Sequence, residues 1–301
     1  MADLSIRLFG RVLKNPVMNA SGTFGYGVEI ESLWNIETMG AYVTKGLSLK
    51  PHHGNPTPRV YEVTGGLINS IGLQNIGIEA FFRDYMPFFE KKQMPVIVNF
   101  FGFTEDEYVE CARNIIPHEL IVGIEMNLSC PNIKAGGIGF GKEPKTVRKL
   151  ISRIKAVTKL PVIAKLSPEV NSISDIAIAA YDGGADGLTL INTMPGVYVD
   201  INRKTFAIKG GLSGPSLKPM ALKAIYECRK KVPLPIIGAG GIMEYEDCIA
   251  FLMAGATAVQ IGTATFVDPF TIPKVIKDCE VFLNKNNISA IGDIIGKAEG
   301  V

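Results

Sequence analysis

The chain has 301 residues, of which 47% are apolar, and its formal net charge at pH 7 is +2. This size and apolar content suffice for one large hydrophobic core, and we predict a single domain over residues 1–301. The charges are nearly balanced without a long basic cluster, so neither nucleic acid nor a membrane surface is predicted as a partner. Residues 1–10 do not resemble a signal peptide and no apolar run reaches about 18 residues, so we expect a soluble, cytoplasmic protein.

Five cysteines are spread along the chain without a Cys-x-x-Cys pair. This spacing predicts reduced thiols rather than a disulfide framework, a zinc site or an iron–sulfur cluster held by this chain. Four of the cysteines fall in helical or core-like patterns, whereas Cys130 follows a predicted strand. The three histidines end no predicted strand, and no metal site is predicted.

Short apolar runs alternate with amphipathic stretches along the chain. The apolar runs predict eight buried strands, at 16–19, 41–45, 95–99, 122–127, 161–165, 187–191, 235–239 and 258–261. The amphipathic stretches predict helices over 104–115, 144–158, 174–182, 218–231 and 245–253. Eight strand-then-helix units favour an α/β fold of the (β/α)8 TIM-barrel type, with a doubly wound parallel sheet as the alternative.

Two longer stretches, 47–76 and 198–213, do not fit this alternation. Both are rich in glycine and polar residues, and the first contains a strand-like run at 59–63. Because each follows the end of a predicted strand, we expect inserted loops and short strands over the C-terminal face of the barrel, where active sites of this fold are built.

Polar residues or glycine turns follow every predicted strand. Lys45, Asn99 and Lys165 end three of them, and glycine turns at 240–241 and 262–263 end the last two. In a barrel these groups converge on one pocket, and the last two strands are where a phosphate is commonly bound. Lysines and amides without a carboxylate suit an anionic, nitrogen-containing substrate beside a phosphate-bearing flavin. The alternatives are ordinary tight turns and lysines that reach out from strand ends.

Two polar segments stand out. Residues 127–132 read Asn-Leu-Ser-Cys-Pro-Asn after an apolar run, and 65–75 read Gly-Gly-Leu-Ile-Asn-Ser-Ile-Gly-Leu-Gln-Asn. A thiol between amides can act as a base or nucleophile. The alternatives are a strand end with a small buried cysteine and a turn-rich loop.

Residues 127–132 and 69–75, with Thr-Lys-Gly at 44–46 and Gly-Ala-Gly-Gly-Ile at 238–242, resemble the class 1 dihydroorotate dehydrogenases. The resemblance extends from about residue 4 to about residue 283. It implies a flavin-binding barrel that oxidises dihydroorotate to orotate in pyrimidine biosynthesis, with flavin mononucleotide (FMN) as the hydride acceptor. It also implies that Cys130 removes the C5 proton while the C6 hydride goes to flavin N5.

The resemblance further implies the residues of the site. Contacts to the substrate are expected from Lys45, Asn69, Ser70, Ile71, Gly72, Leu73, Asn127, Asn132, Asn192 and Thr193. Contacts to the flavin ring are expected from Ser21, Lys45, Gly46, Asn99, Asn127, Lys165 and Ile191, and contacts to its ribityl and phosphate groups from Gly214, Gly240, Gly241, Gly262 and Thr263. Lys165 would stabilise negative charge on the reduced ring. The glycine-rich stretch 135–142 is a candidate lid.

The subclass depends on a few residues. Class 2 enzymes use serine as the base and add an N-terminal membrane segment. Cys130 and a first strand close to residue 1 lead us to expect class 1 instead. Residues 72–75 read Gly-Leu-Gln-Asn, whereas the fumarate-reducing homodimers of class 1A usually read Gly-Leu-Pro-Asn. This difference favours class 1B, in which a homodimeric barrel core forms a heterotetramer with electron-transfer subunits that carry FAD and a [2Fe–2S] cluster and reduce NAD⁺. The alternatives are class 1A, a flavin barrel for another dihydropyrimidine such as dihydrouracil, and a phosphate-binding barrel without catalysis.

Overall fold

The computed structural model describes residues 2–129, 131–132 and 138–299, without the side chains of Pro131, Asn132 and Ile138. The strands are β1 Ile6–Leu8, β2 Arg11–Leu13, β3 Val17–Asn19, β4 Tyr42–Val43, β5 Val60–Val63, β6 Gly66–Asn69, β7 Val96–Phe100, β8 Ile121–Asn127, β9 Pro131–Asn132, β10 Ile138–Gly139, β11 Val162–Leu166, β12 Gly187–Leu190, β13 Met194–Asp200, β14 Thr205–Ser213, β15 Ile236–Ala239 and β16 Ala258–Ile261. The α-helices are α1 Ile78–Asp84, α2 Met86–Lys92, α3 Glu105–Asn114, α4 Pro144–Lys155, α5 Ile173–Asp182, α6 Lys218–Arg229, α7 Tyr245–Ala254, α8 Ala264–Val267 and α9 Thr271–Lys285.

Eight strands form one parallel sheet in the order β3-β16-β15-β12-β11-β8-β7-β4. The sheet closes between its first and last strands, where Met18 pairs with Ala41. The Asn19 side chain reinforces this seam, because it accepts a hydrogen bond from the Val43 N–H and donates one to the Val43 carbonyl, each 2.8 Å long. The predicted (β/α)8 barrel and its eight strands are therefore confirmed, and the doubly wound sheet is excluded.

The helices that cover the barrel begin and bury their faces as the sequence predicts. Thr104 caps α3, since its side chain accepts from the Glu107 N–H at 3.1 Å. Three acidic residues follow in the first turn, where the positive end of the helix dipole favours them. In α4 the residues that pack on the barrel recur at helical spacing: Val147, Leu150, Ile151 and Ile154.

The expectation of eight strand-then-helix units is wrong for the first unit. Within the fully described stretch between β3 and β4, the only helical segment is one 3-10 turn, Ile36–Thr38. Gly22, Gly25 and Gly27 all have positive φ angles in this connection. Left-handed glycines interrupt the backbone hydrogen bonding of a helix, so the chain crosses in a series of turns. The short helices α1 and α2 were not predicted.

A hairpin of β1 and β2, also not predicted, covers the N-terminal end of the barrel. Its two-residue turn places Phe9 and Gly10 at positive φ, as tight hairpins require. The Phe9 ring lies against the start of β12, where a Cβ on Gly187 would come within 2.6 Å of it. The opposite, C-terminal end is the one that carries the polar strand ends.

The two insertions form a four-stranded antiparallel sheet in the order β13-β14-β6-β5. Strands β6 and β14 pair with Gly211 opposite Asn69 and Leu212 opposite Ile68. Residues of both strands line a cavity together with the C-terminal ends of the barrel strands, which confirms that the insertions lie over this face. Among the described residues, no helix has both the length and the apolar character needed to cross a membrane.

Candidate active site

A cavity of about 410 Å³ lies at the C-terminal ends of the barrel strands. Its volume is within the range of roughly 300–1,000 Å³ that is usual for small-molecule and cofactor sites. It is lined by the sequence-predicted residues Ser21, Lys45, Gly46, Asn69, Ser70, Ile71, Gly72, Leu73, Asn99, Asn127, Lys165, Ile191, Asn192, Thr193, Gly214, Gly240, Gly241, Gly262 and Thr263. Cys130 and residues 135–137 of the candidate lid lie outside the described residues, and only the backbone of Asn132 is described. The structure thus brings the predicted residues together, and their individual roles stay predictions.

One end of the cavity is built from amide side chains held by one another. Asn192 Nδ2 donates to Asn127 Oδ1 and to Ser129 Oγ, both at 2.9 Å. The Thr193 N–H donates to Asn192 Oδ1 at 2.8 Å, and Asn69 Nδ2 donates to the Gly211 carbonyl at 3.1 Å. These bonds fix which amide atom points which way, so the end presents an ordered set of donors and acceptors.

The floor of the cavity contains Asn99, which is 1% exposed. Its N–H donates to Thr44 Oγ1 at 2.9 Å and its Nδ2 donates to Glu125 Oε1 at 2.6 Å. Among the described residues, Asn99 Oδ1 is buried and has no hydrogen-bond partner. A Cβ on the neighbouring Gly46 would lie only 3.0 Å from this oxygen. A buried, unpaired acceptor is costly, so a ligand N–H group is its natural partner.

The other end of the cavity is built from backbone. Gly240 and Gly241 have φ angles of +119° and +82°, which side chains rarely allow. A Cβ on Gly241 would lie 2.7 Å from the backbone nitrogen of Lys218 and 2.9 Å from the carbonyl oxygen of Gly214. Thr263 Oγ1 donates to Ser213 Oγ at 2.8 Å, which joins the last barrel strand to the antiparallel sheet. Backbone packed this tightly can approach a phosphate closely.

The family model described as dihydroorotate dehydrogenase matches residues 3–283. The chain belongs to the dihydroorotate dehydrogenase family. A relative from Geobacter metallireducens, named "Dihydroorotate dehydrogenase B (NAD(+)), catalytic subunit", is 48% identical over 98% of this chain and 97% of its own length. Relatives with the same name from Geobacter sulfurreducens and Pelobacter propionicus are 47% and 46% identical, each over 99% of this chain and over 98% and 99% of their own lengths. The resemblance of the sequence to this family is therefore confirmed.

Lys45, which follows β4, contributes a half-buried cation to the lining of this dihydroorotate dehydrogenase cavity. Burial, followed by the positive charge of Arg59, lowers the pKa of the Lys45 ammonium group below its usual value. Arg59 is held in turn by Gln74, whose Oε1 accepts from Arg59 Nη1 at 2.7 Å. Gln74, the residue that favoured class 1B in the sequence, lines the cavity. It therefore holds in place the arginine whose charge acts on Lys45.

Four of the cysteines are free thiols buried in helices, as predicted: Cys111, Cys228, Cys248 and Cys279. Burial raises the pKa of Cys111 and of Cys228 to about 12. A hydrogen bond with Cys279 and burial raise the pKa of Cys248 as well. Thiols in this state do not act as bases near neutral pH. Within the described part of the chain, no three His, Cys, Asp or Glu side chains lie close enough to hold a metal ion.

Sequence reasoning missed Glu125, a fully buried carboxylate directly beneath the floor. Lys165, 6% exposed, places its Nζ 3.4 Å from Glu125 Oε1 and 3.1 Å from Gln260 Oε1. The described lining contains no carboxylate, but Glu125 lies in the layer directly below it. The sequence did contain an indication of this residue's role, because a glutamate within a run of apolar residues has to be paired inside the fold.

Proposed function

We propose that this chain is the catalytic subunit of an NAD⁺-dependent dihydroorotate dehydrogenase that oxidises (S)-dihydroorotate to orotate. The observation that carries the proposal is one cavity lined both by amide and lysine side chains and by glycine backbone. Such a cavity suits a small anionic ring next to a phosphate-bearing cofactor. The names of the relatives support both the reaction and NAD⁺ as the final acceptor.

FMN is the cofactor that the lining residues fit. Asn99 Oδ1 is a buried acceptor in need of a donor, which the ring N–H of a flavin can supply. The tight turn at Gly240 and Gly241 and the pair of Ser213 and Thr263 suit a phosphate group and a ribityl chain. When bound, FMN would accept the hydride from C6 of the substrate.

The side chains at the amide end would hold the substrate and move its proton. Lys45 would pair with the substrate carboxylate and contact the flavin, and Cys130 would take the C5 proton as a thiolate. Lys165 would stabilise the negative charge of the reduced cofactor. The ring and carboxylate of the substrate would be bound by Asn69, Ser70, Ile71, Gly72, Leu73, Asn127, Asn132, Asn192 and Thr193.

The electrons would leave through another chain. The four described cysteines are buried apart from the cavity, so a [2Fe–2S] cluster and FAD are assigned to a partner subunit. We propose a homodimeric core within a heterotetramer, in the cytoplasm. Gln74 in place of proline favours this arrangement over the fumarate-dependent class 1A enzyme, which remains the second candidate.

An anaerobic titration of the FMN-loaded chain with L-dihydroorotate tests the proposal. We expect the visible flavin band to bleach in proportion to added substrate, while dihydrouracil, which lacks the carboxylate, leaves it oxidised. Bleaching by dihydrouracil alone would replace dihydroorotate as substrate. Fumarate-dependent turnover without a partner subunit would favour class 1A, and failure of the protein to take up FMN would contradict the proposal.

A further inference from the structure

Glu125 accepts four hydrogen bonds from four different strands beneath the cavity floor. Oε1 accepts from Asn99 Nδ2 at 2.6 Å and from Lys165 Nζ at 3.4 Å. Oε2 accepts from Thr189 Oγ1 at 2.6 Å and from Gln260 Nε2 at 2.7 Å. An ionised carboxylate can accept about four hydrogen bonds, so its capacity is filled. Glu125 does not line the cavity, whereas Asn99, Lys165 and Gln260 do.

The register of the barrel brings these groups together. Asn99 of β7 lies opposite Glu125 of β8, and Lys165 of β11 lies opposite Thr189 of β12. All are buried, where an unpaired charge or amide would be strongly unfavourable. The five side chains therefore form one buried, hydrogen-bonded polar layer inside the barrel.

Because the Glu125 carboxylate only accepts hydrogen bonds, it fixes the orientation of the amide groups of Asn99 and Gln260. Because Asn99 turns its NH₂ group to Glu125, its Oδ1 becomes the acceptor that lacks a protein partner within the described residues. Because Gln260 also turns its NH₂ group to Glu125, its Oε1 accepts from Lys165 Nζ at 3.1 Å. A lysine ammonium has three N–H donors, and Glu125 and Gln260 engage two of them.

We propose that Glu125 is a positioning residue that sets the hydrogen-bonding polarity of the cavity floor. Through its four bonds it holds Asn99 as an acceptor and Lys165 as a donor and cation toward the cofactor. This inference rests on the proposed function, because it assigns the floor to a flavin ring, which carries an N–H donor and acceptor atoms on one edge. The reacting atoms are not contacted by Glu125 itself.

The variant Glu125→Gln tests this role, since one acceptor oxygen becomes an NH₂ group. If the new NH₂ faces Thr189 and Gln260, Gln260 has to turn and presents its own NH₂ group to Lys165. If it faces Asn99 and Lys165, Asn99 has to turn and loses its free acceptor. In either arrangement the Lys165 ammonium meets an NH₂ group, so a donor faces a donor.

The double variant Glu125→Gln with Gln260→Glu restores the pattern. The amide oxygen at position 125 can then accept from Asn99 and Lys165, while the NH₂ group of the same amide donates to the new carboxylate at position 260. That carboxylate also accepts from Lys165, and the Thr189 hydroxyl can accept from the amide. The net charge and the number of hydrogen bonds are kept, while the carboxylate moves from beneath the floor to position 260, which lines the cavity.

The readouts are the dissociation constant of FMN, the absorption spectrum of the bound flavin and its midpoint potential, none of which needs substrate. For Glu125→Gln we expect weaker FMN binding by tenfold or more, a displaced flavin spectrum and a shifted potential. The double variant should return the FMN dissociation constant and the spectrum toward the wild-type values, whereas its potential should stay shifted because a carboxylate now lines the cavity. Thr189→Val is the control, because it removes one donor to Glu125 without changing an atom of the cavity lining. It should lower thermal stability but leave the spectrum and the potential unchanged.

Three outcomes would overturn the role of Glu125. These are wild-type flavin properties in a folded Glu125→Gln protein, a double variant no better than the single one, and a Thr189→Val protein with the same flavin changes as Glu125→Gln. If Glu125→Gln does not fold, the double variant alone decides: recovery of folding and FMN binding supports the inference, and its failure contradicts it. Wild-type protein that takes up no FMN would instead count against the proposed function.

Discussion

Asn127, Asn192 and Lys45 contribute side chains to the cavity lining and form what we call its side-chain end, whereas Gly240 and Gly241 contribute backbone and form its backbone or glycine end. The side-chain end needs particular functional groups, held in place by bonds such as that from Asn192 Nδ2 to Asn127 Oδ1 at 2.9 Å. The backbone end needs the absence of side chains, since a Cβ on Gly241 would lie 2.7 Å from the Lys218 nitrogen. The first end should therefore decide chemistry and substrate binding, and the second should decide cofactor binding.

The largest effect, a loss of turnover with retained FMN binding, is expected from Cys130→Ala. Loss of a general base typically lowers turnover by about 100- to 10,000-fold, while the glycine end and hence FMN binding stay intact. The other four thiols cannot substitute, because they are buried in helices and the pKa of Cys111 and of Cys228 is about 12. Stopped-flow bleaching of the flavin by dihydroorotate measures the loss, and the flavin content after purification measures the retained binding.

Cys130→Ser refines this prediction, because a hydroxyl is a weaker acid than a thiol. It should be slower than wild type near neutral pH and regain part of its rate as the pH rises. Wild-type rates in both variants would remove Cys130 from the reaction.

The converse effect is expected from Gly241→Ala. The added methyl group meets the Lys218 nitrogen and the Gly214 carbonyl, and the residue keeps a φ angle of +82° that alanine disfavours. Strain of this kind costs about 1–3 kcal/mol. Because the turn relieves it by leaving the conformation that suits FMN, we expect the FMN dissociation constant to rise by roughly five- to 150-fold. Turnover of the fraction that is loaded with FMN should change little.

Gly292→Ala is the matched control for Gly241→Ala. A Cβ at Gly292 would meet no atom within 4 Å, and its φ angle is not positive. Fluorescence titration of FMN into the apoproteins compares the two variants. Equal FMN affinities would contradict the assignment of the glycine end to the cofactor.

The two ends also differ in how far the sequence could predict them. Lys45, Asn99 and Lys165 were recognisable because a lysine or an amide that ends an apolar strand is conspicuous. The glycine turns at 240–241 and 262–263 were recognisable from their position after the last two strands. The hydrogen-bond network beneath the floor was not recognisable, because Glu125 acquires its partners only through the strand register that places Asn99 opposite it. Partners on different strands are set by barrel closure, which no local pattern records.

The same distinction holds for the fold. Parallel strands covered on both faces, such as β7, are apolar throughout and stand out as short buried runs. The first connection and the N-terminal hairpin depend instead on glycines in left-handed conformations and on packing against distant parts of the chain. A sequence pattern shows that a turn is present there, but not the path that the turn takes.

A further effect, which depends on pH rather than on a substitution, is expected in orotate binding at the side-chain end. Burial and Arg59 lower the pKa of Lys45, so this ammonium group loses its proton at a lower pH than an ordinary lysine. Only the protonated form can pair with the orotate carboxylate, so affinity should fall as the pH rises through that pKa.

A charge-assisted hydrogen bond is worth about 1.5–3 kcal/mol, which predicts roughly a tenfold or larger rise in the orotate dissociation constant. Titrations followed by the flavin absorbance between neutral and alkaline pH measure this change, and FMN affinity measured over the same range should change less than orotate affinity. Lys45→Gln should bind orotate weakly and without the alkaline decline. Arg59→Gln should shift the decline to higher pH, because it removes a positive charge that lowers the Lys45 pKa. A decline that persists unchanged in Lys45→Gln would assign it to another group and leave Lys45 without the proposed contact to the carboxylate.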